Sequence, residues 1–579
     1  MIDVGQVLPR HSAPEVVANL RAAGVDPIMS RLLAARGVTS PDACRFDLER
    51  LLRPDTMAGI DAIGTALVGA IEAGEPICVI ADYDCDGATA CALAVRGLRR
   101  FGAVVDYTVP NRLVHGYGLS PDVVRMASRH PRLGQPRWLL TVDNGIASVD
   151  GVEAARQAGM RVLVTDHHLP GERLPRAHAI VDPNQPGCAF PSKHLAGVGV
   201  MFYVLLALRA AYRQRGDSTR GRIALADLLD LVALGTVADL VRLDENNRLL
   251  VEGGLRRLRS GRACAGLRAL ASVSGVQAHR AGARDLGFML APRINAAGRL
   301  ADITTGIECL LADDDSHAAE LARRLDDINR ERRRLEATMR QEAIDDLEPE
   351  GTGRLGLVAF RPQWHEGVVG LVASKLKERR HRPAIAFAPA SGEPGMLRGS
   401  ARSIPGVHMR DVIDLADKRR PGLILRFGGH AMAAGLTLRD DALAPFSNAF
   451  EDALATLAEP GAFDRETLVD GPLEPEDIDF ELVDALEAQV WGQGFPPPLF
   501  RNRFDILRQR VVGGQHLKLE LRLGRRRLEA IAFNRSEPFP DAAELLYRPA
   551  RNEYQGLASV QLMIEGIDEC SPGEPDATI

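Results

Sequence analysis

An unbroken apolar block, Ile77-Cys78-Val79-Ile80-Ala81, predicts a buried strand. Residues 60–71 before it and 88–98 after it carry helical spacing. The same alternation continues downstream: residues 104–109 are β-rich, 121–128 helical, 138–142 apolar and β-like, 149–158 helical, and 161–165 β-like again. Such an order predicts a mostly parallel sheet covered by helices. Residues 302–350 turn strongly helical, with Leu321, Leu325, Ile328, Leu335 and Met339 on one stripe and arginines elsewhere, which predicts a long bridging helix. A second small α/β unit is expected over residues 354–457. Beyond it, Leu517-Lys518-Leu519-Glu520-Leu521-Arg522-Leu523 alternates strictly and is followed by further short β-like blocks. These fit a barrel of the OB type or a generic β accessory domain. The expected organisation is therefore a helical segment at 1–50, an α/β lobe at 51–300, a connecting helix at 301–350, a second α/β lobe at 351–460, a barrel at 461–570 and a tail at 571–579.

Composition narrows the class. At 579 residues with 46% hydrophobic and 26% charged residues, the chain needs several cores and is of ordinary globular type. No apolar run approaches the roughly 20 residues of a membrane span, and the first twenty residues lack signal-peptide organisation, so a cytoplasmic location is expected. The eight cysteines never form a C-x-x-C pair, which favours buried thiols over zinc ligands or disulfides. The net charge of −6 opposes nucleic-acid binding by the chain as a whole. Any anion groove must come from local clusters of arginine, which supplies all but five of the 71 basic residues.

Candidate chemistry lies where the strands end. The first runs into Asp82-Tyr83-Asp84-Cys85-Asp86-Gly87, three carboxylates at alternate positions before a turn. A solvated acidic turn fits this stretch, and so does a divalent-cation site, because carboxylates this close repel unless a cation neutralises them. The next strands end in Asp143-Asn144-Gly145 and Asp166-His167-His168, and a further segment ends in Gly235-Thr236-Val237-Ala238-Asp239. Each alone has an ordinary reading as a turn or a loop pair. On a parallel sheet all carboxyl ends share one edge, so the clusters can converge. Mixed carboxylate and imidazole ligands suit Mn²⁺, and carboxylates suit Mg²⁺.

These four motifs resemble those of the DHH phosphoesterase superfamily. The resemblance continues through Arg293-Ile294-Asn295-Ala296-Ala297-Gly298-Arg299-Leu300, Trp364-His365-Glu366-Gly367-Val368-Val369-Gly370, Gly399-Ser400-Ala401-Arg402-Ser403 and Phe427-Gly428-Gly429-His430-Ala431-Met432-Ala433-Ala434-Gly435. It spans roughly residues 50–565 and is similar to the RecJ branch. It implies DHH and DHHA1-like lobes, an OB-fold domain, and a single-stranded-DNA-specific exonuclease that works from the 5′ end, releases mononucleotides and acts in DNA repair and recombination. By the same resemblance two ions, Mn²⁺ or Mg²⁺, are held by Asp82, Asp84 and Asp143 and by Asp86, Asp143, His167 and Asp239. Asp143 is shared, and His168 faces the scissile phosphate. Arg112, Arg293, Ser400, Arg402, Gly428, Gly429 and His430 are implied in gripping the 5′-phosphate or the strand. Tyr547, Tyr554 and the basic turn Arg525-Arg526-Arg527 suit single-strand stacking and contact. A single-strand-binding protein and a RecQ-type helicase are implied as partners of a monomer. A DHH hydrolase of short oligonucleotides or cyclic dinucleotides, and a non-catalytic single-strand-binding scaffold, are the rival readings.

Overall fold

The computed structural model describes residues 4–110, 118–347, 353–554 and 556–568. Its first strand, β1 (Gln6–Pro9), lies in the segment whose pattern predicts only helices, and two helices follow it, Pro14–Ala22 and Pro27–Ala34. Each helix has Pro at its first position, where the missing N–H is an orphan in any case.

Residues 41–332 and 489–496 form one compact unit. Its sheet consists of β2 (Ile77–Ala81), β3 (Val105–Thr108), β4 (Trp138–Val142), β5 (Arg161–Thr165) and β6 (Ala179–Val181). All four pairings are parallel, in the order β3-β2-β4-β5-β6. Every residue of β2 and β4 is buried, as expected of central strands covered on both faces. On one face Cys78, Ile80, Leu139, Val162 and Val164 pack against Leu119, Val123 and Val152 from the helical layer. The other layer includes helices Cys85–Arg100, Gly197–Gln214 and Leu229–Ala238. The order reverses between β2 and β4, since β3 lies to one side of that pair and β5 to the other. Ligands of open α/β sheets bind at such a reversal, beyond the carboxyl ends of the strands. The short segment 489–496 belongs to this unit because Leu243 N–H donates to the Gln493 carbonyl at 2.7 Å and the Arg248 guanidinium lies over the Phe495 ring at 4.2 Å.

The other unit holds residues 4–40, 333–488 and 497–568. Helix Asp315–Leu347 carries the chain into it. Five strands form a mixed sheet: β7 (Leu357–Phe360), β8 (Ala384–Pro389), β9 (Met396–Arg402), β10 (Ile424–Gly429) and β11 (Ala433–Arg439), in the order β10-β11-β9-β8-β7. Phe387, Phe446 and Phe450 fill the core against its helices. Strand β12 (Glu466–Val469) pairs in parallel with β1, and Arg36 closes a buried two-pronged ion pair on Asp470, both contacts at 2.8 Å. The N-terminal forty residues are thus bonded to a segment that local patterning could not connect with them.

Strands β13 (Phe500–Val512), β14 (His516–Leu523), β15 (Arg526–Ala532), β16 (Ala542–Tyr554) and β17 (Leu557–Ile567) close into a barrel ordered β13-β14-β15-β17-β16. Tyr547, read from the sequence as a stacking residue, is instead fully buried in the barrel, packed on the rings of Phe500 and Phe504 with its hydroxyl on Asn502 Oδ1 at 2.8 Å. The pairing of β16 with β17 shifts register between Leu546 and Tyr547, and such a bulge re-aims the side chains beyond it. The Tyr554 side chain lies outside the described positions.

Candidate metal centre

The three carboxylates after β2 do not continue the strand. Strand β2 stops at Ala81, and a helix begins at Cys85 with Asp84 as its N-cap, its Oδ1 accepting from Gly87 N–H at 2.9 Å. Asp82 therefore follows the strand, Asp84 caps and Asp86 sits in the first helical turn, so their directions differ. A Cβ on Gly87 would lie 2.6 Å from the Asp82 carbonyl oxygen, so this turn needs glycine.

Asp143 follows β4 in the left-handed backbone region at φ 62°, with its N–H on the Thr165 carbonyl. A non-glycine residue there is strained, and strain of this kind concentrates at functional sites. Its carboxylate is buried beside Gly197, where a Cβ would approach Asp143 Oδ1 to 2.6 Å. Gly197 opens helix Gly197–Gln214. Its N–H and that of Val198 donate to the two oxygens of Asp86 at 2.6 and 3.0 Å. Asp239 closes helix Leu229–Ala238, where the helix dipole disfavours a carboxylate and favours a cation.

His167 Nε2 lies 3.0 Å from Asp143 Oδ1, 3.5 Å from Asp239 Oδ2 and 4.0 Å from Asp86 Oδ2. The ring also hydrogen-bonds the Leu195 backbone. Burial, then the charge of His168, lower its pKa to about 4, so the imidazole is neutral and these contacts are not ion pairs. Burial, then the neighbouring carboxylates, push Asp86 up to about 7 and hold Asp143 and Asp239 well above the usual carboxylate range. A neutral imidazole turned onto mutually repelling carboxylates, buried at Asp86 and Asp143 and partly exposed at Asp239, is a donor set that suits a divalent cation.

The donors fall into overlapping groups whose ligand atoms lie within 4.8 Å of one another: Asp82, Asp84 and Asp143; Asp86, His167 and Asp239; and Asp143, His167 and His168. His168 is fixed by Asp166, whose Oδ1 lies 2.7 Å from its Nδ1. Asp166 also accepts from the backbone N–H groups of Ile146, His167 and His168. Burial alone would lower the His168 pKa, but the hydrogen bond and charge of Asp166 outweigh it and push it up to about 9. The roles of Asp166, of Gly197 and of Asn295, which takes the Cys85 N–H at 2.9 Å, escape sequence reasoning. Asp166 and Asn295 do stand inside quoted motifs; the Gly197 contact with Asp86 joins positions 111 apart and leaves no local signal.

The residues implied in phosphate or strand binding separate. Arg112 lies outside the described residues. Arg293 is not presented to an anion: its guanidinium is buried, donates to the Met289 carbonyl and pairs with Asp326 at 2.8 Å, because helix Ala291–Leu300 turns it into the core. Ser400 and Arg402 lie two apart on β9, half-buried on one face, with Arg402 Nη1 on Ser400 Oγ at 3.0 Å. A Cβ on Gly370, near the start of helix Val369–Arg380, would stand 3.0 Å from both of those side chains. Gly428 and Gly429 are the last residues of β10, not a loop, and His430 follows them, exposed. Across the sheet Ser400 pairs with Gly435 and Gly435 with Gly428, so a floor of glycines adjoins the Ser400–Arg402 pair.

Comparison with known proteins agrees with this geometry. The DHH family N-terminal domain matches residues 76–236, the DHHA1 domain 355–459 and the RecJ OB domain 469–566. The single-stranded-DNA-specific exonuclease RecJ of Escherichia coli is 45% identical, covering 97% of this chain and 99% of that protein. The crystal structure of Thermus thermophilus RecJ in complex with Mn²⁺ superposes with a TM-score of 0.79 at 28% identity, covering 98% of this chain and 80% of that one. The Mg²⁺ complex of the same protein gives a TM-score of 0.75 at 27% identity, covering 98% of this chain and 78% of that one. With a parallel-sheet lobe, a second α/β lobe and a closed barrel in the matching order, this chain belongs to the RecJ family.

Proposed function

We propose that this chain is a single-stranded-DNA-specific exonuclease that degrades DNA from the 5′ end to mononucleotides in repair and recombination. The observation that carries the reading is the set of three donor groups linked through Asp143 and His167 at the sheet's reversal point. Asp82, Asp84 and Asp143 would hold one Mn²⁺ or Mg²⁺, and Asp86, Asp143, His167 and Asp239 a second. When bound, such a pair supplies Lewis-acid stabilisation of the charge that develops at phosphorus and a nucleophile at neutral pH. The remaining work falls to the protein. Asp166 accepts the Nδ1–H of His168 and leaves Nε2–H to donate to a nonbridging phosphate oxygen. That support comes from outside the ligand set, so it persists when cations take up the charge of Asp82 and Asp239. Gly197 and Val198 N–H groups fix the Asp86 carboxylate without a side chain that would crowd Asp143.

The Ser400–Arg402 pair is the proposed grip for the 5′-phosphate, with Gly428, Gly429 and His430 beside it and Arg112 as a further contact. Residues 51–300 are the proposed catalytic lobe, 351–460 the end-binding lobe and 461–570 the strand-binding barrel. A single-strand-binding protein and a RecQ-type helicase are the proposed partners of a cytoplasmic monomer; no helix among the described residues is long and apolar enough to cross a membrane. The deciding experiment digests 5′- and 3′-labelled single strands, duplex DNA and RNA with Mn²⁺ and with Mg²⁺. Immediate release of 5′-label as mononucleotide, and its slowing when a 5′-hydroxyl replaces the phosphate, are expected. Arg402→Ala should narrow that end-group difference, since a charged hydrogen bond to phosphate contributes about 1.5–3 kcal/mol. Release of 3′-label first would overturn the polarity.

A further inference from the structure

The opposite edge of the catalytic sheet carries a feature that the nuclease reading leaves unused. A cavity of about 540 Å³ opens beside the amino ends of β4 and β5 and the segment leading into β6. Strands of five residues rise about 3.3 Å per residue, so this edge lies roughly 16 Å from the metal centre. The cavity is lined by Arg137, Arg156, Arg161, Arg176 and His178, with no carboxylate among its lining residues. The arginines arrive from separate places: the residue before β4, the end of helix Val149–Gln157, the first residue of β5, and the segment before β6.

Their ties are unequal. Arg156 pairs with Glu153 at 2.7 Å, and Arg137 lies 3.8 Å from Glu75, which also accepts from the Trp138 indole N–H. Arg161 rests on the Trp138 ring at 5.0 Å, and His178 meets that ring edge-on at 5.1 Å. Neither Arg161 nor Arg176 has a carboxylate partner among the described residues. Two uncompensated guanidiniums, with two more nearby, thus face one concavity in a chain whose net charge is −6. A concave cluster of one sign focuses its field, and planar guanidinium forks match phosphate oxygens in pairs. The apolar lining is thin: Met160 and Val162 are 2% and 1% exposed. The cavity therefore offers no socket for the apolar anchor by which a peptide or lipid would dock.

We infer that the Arg137–Arg156–Arg161–Arg176 cavity is a second anion site, separate from the metal centre, that takes the clustered phosphates of a polyphosphorylated small molecule, for which adenosine triphosphate serves as the probe. Its occupant would bridge the amino ends of β4 and β5, whose carboxyl ends deliver Asp143 and His167. The assignment stands on this cavity alone and does not depend on the nuclease reading.

The test is calorimetric titration of the full-length chain with adenosine triphosphate in EDTA, which keeps divalent cations from bridging nucleotide to the carboxylates. Saturable binding is expected, weaker for adenosine monophosphate than for the triphosphate and weakened by salt. Arg161→Ala with Arg176→Ala should reduce affinity at least tenfold. Arg176→Gln alone, at an exposed side chain with no partner to lose, should reduce it severalfold without altering the thermal midpoint. Digestion of single-stranded DNA with Mn²⁺ should stay within twofold of wild type in both variants. Absence of saturable binding by the wild type, equal affinity in the double variant, or monophosphate binding as tight as triphosphate would overturn the inference. So would an arginine-dependent affinity for a dT₁₂ strand or an acidic peptide without one for the triphosphate.

Discussion

Replacing Asp143 by Asn should separate what this residue does for catalysis from what it costs the fold. Asp143 belongs to two of the three overlapping donor groups and is the proposed ligand of both cations, so the substitution should weaken both sites at once. A cation pair contributes several kcal/mol of transition-state stabilisation, and a loss of about 4 kcal/mol is nearly a thousandfold in rate. Stability should move the other way. With no cation bound, Asp143 is buried against Asp86, Asp84, Asp82 and Asp239, and its pKa stands well above the unfolded value. A carboxylate with a raised folded pKa lowers stability as pH rises above the unfolded pKa, near 4, and the full cost is reached once pH passes the folded value. Asn has no charge to bury and, unlike most side chains, tolerates the φ of 62° that this position imposes. We therefore expect Asp143→Asn to melt above wild type at neutral pH in EDTA. Asp143→Ala should be equally inactive but gain less, because a left-handed backbone costs alanine about 1–2 kcal/mol. The assay pairs single-strand digestion in Mn²⁺ with thermal melts in EDTA at pH 5 and pH 8, where the Asn variant's advantage should be larger at pH 8. An Asn variant that keeps more than a few per cent of turnover, or melts below wild type in EDTA, would refute the shared-ligand reasoning.

Asp166→Asn should withdraw the support that raises the His168 pKa to about 9, moving the alkaline limb of the pH–rate profile to lower pH; an unmoved limb would remove His168 from the proton inventory. Gly197→Ala would drive a methyl group to 2.5 Å from Asp143 Cβ, so overpacking should cost about 1–3 kcal/mol and weaken Mn²⁺ binding measured by titration, and wild-type affinity would show that the helix start yields freely. At the start of β15 Arg526 is tied to the Pro475 carbonyl and Arg527 to Glu520 at 3.0 Å, so Arg525→Ala, in the turn before that strand, should flatten the salt dependence of single-strand binding more than Arg526→Ala; equal slopes would mean the turn does not touch the DNA.

Much of this was legible in one dimension. Buried parallel strands need continuous apolar blocks, so β2, β4 and β5 stand out, and their common direction gathers Asp82, Asp143 and His167 at one edge. The strict alternation of residues 517–523 gives β14 for the same reason: period follows from backbone geometry, which is local. The resemblance adds the ligand set as an expectation. What sequence could not supply depends on contacts between distant residues or on departures from regular geometry. The stretch from Asp82 to Asp86 reads as three alternating carboxylates before a turn at Gly87, yet Asp84 accepts the Gly87 N–H and caps a helix that begins at Cys85, which sends Asp82 and Asp86 to different ligand groups. Tyr547 carries the residue type of a stacking platform, and a register shift beside it sets the ring in the barrel core. Arg293 carries the charge of a phosphate contact and lies buried against Asp326. The amides of Gly197 and Val198 reach Asp86 across more than a hundred residues. Local patterning marks most of the elements, though not β1, whose partner lies more than four hundred residues away; only tertiary packing decides where a charge is left bare, because burial and pairing belong to the neighbours a residue meets in space.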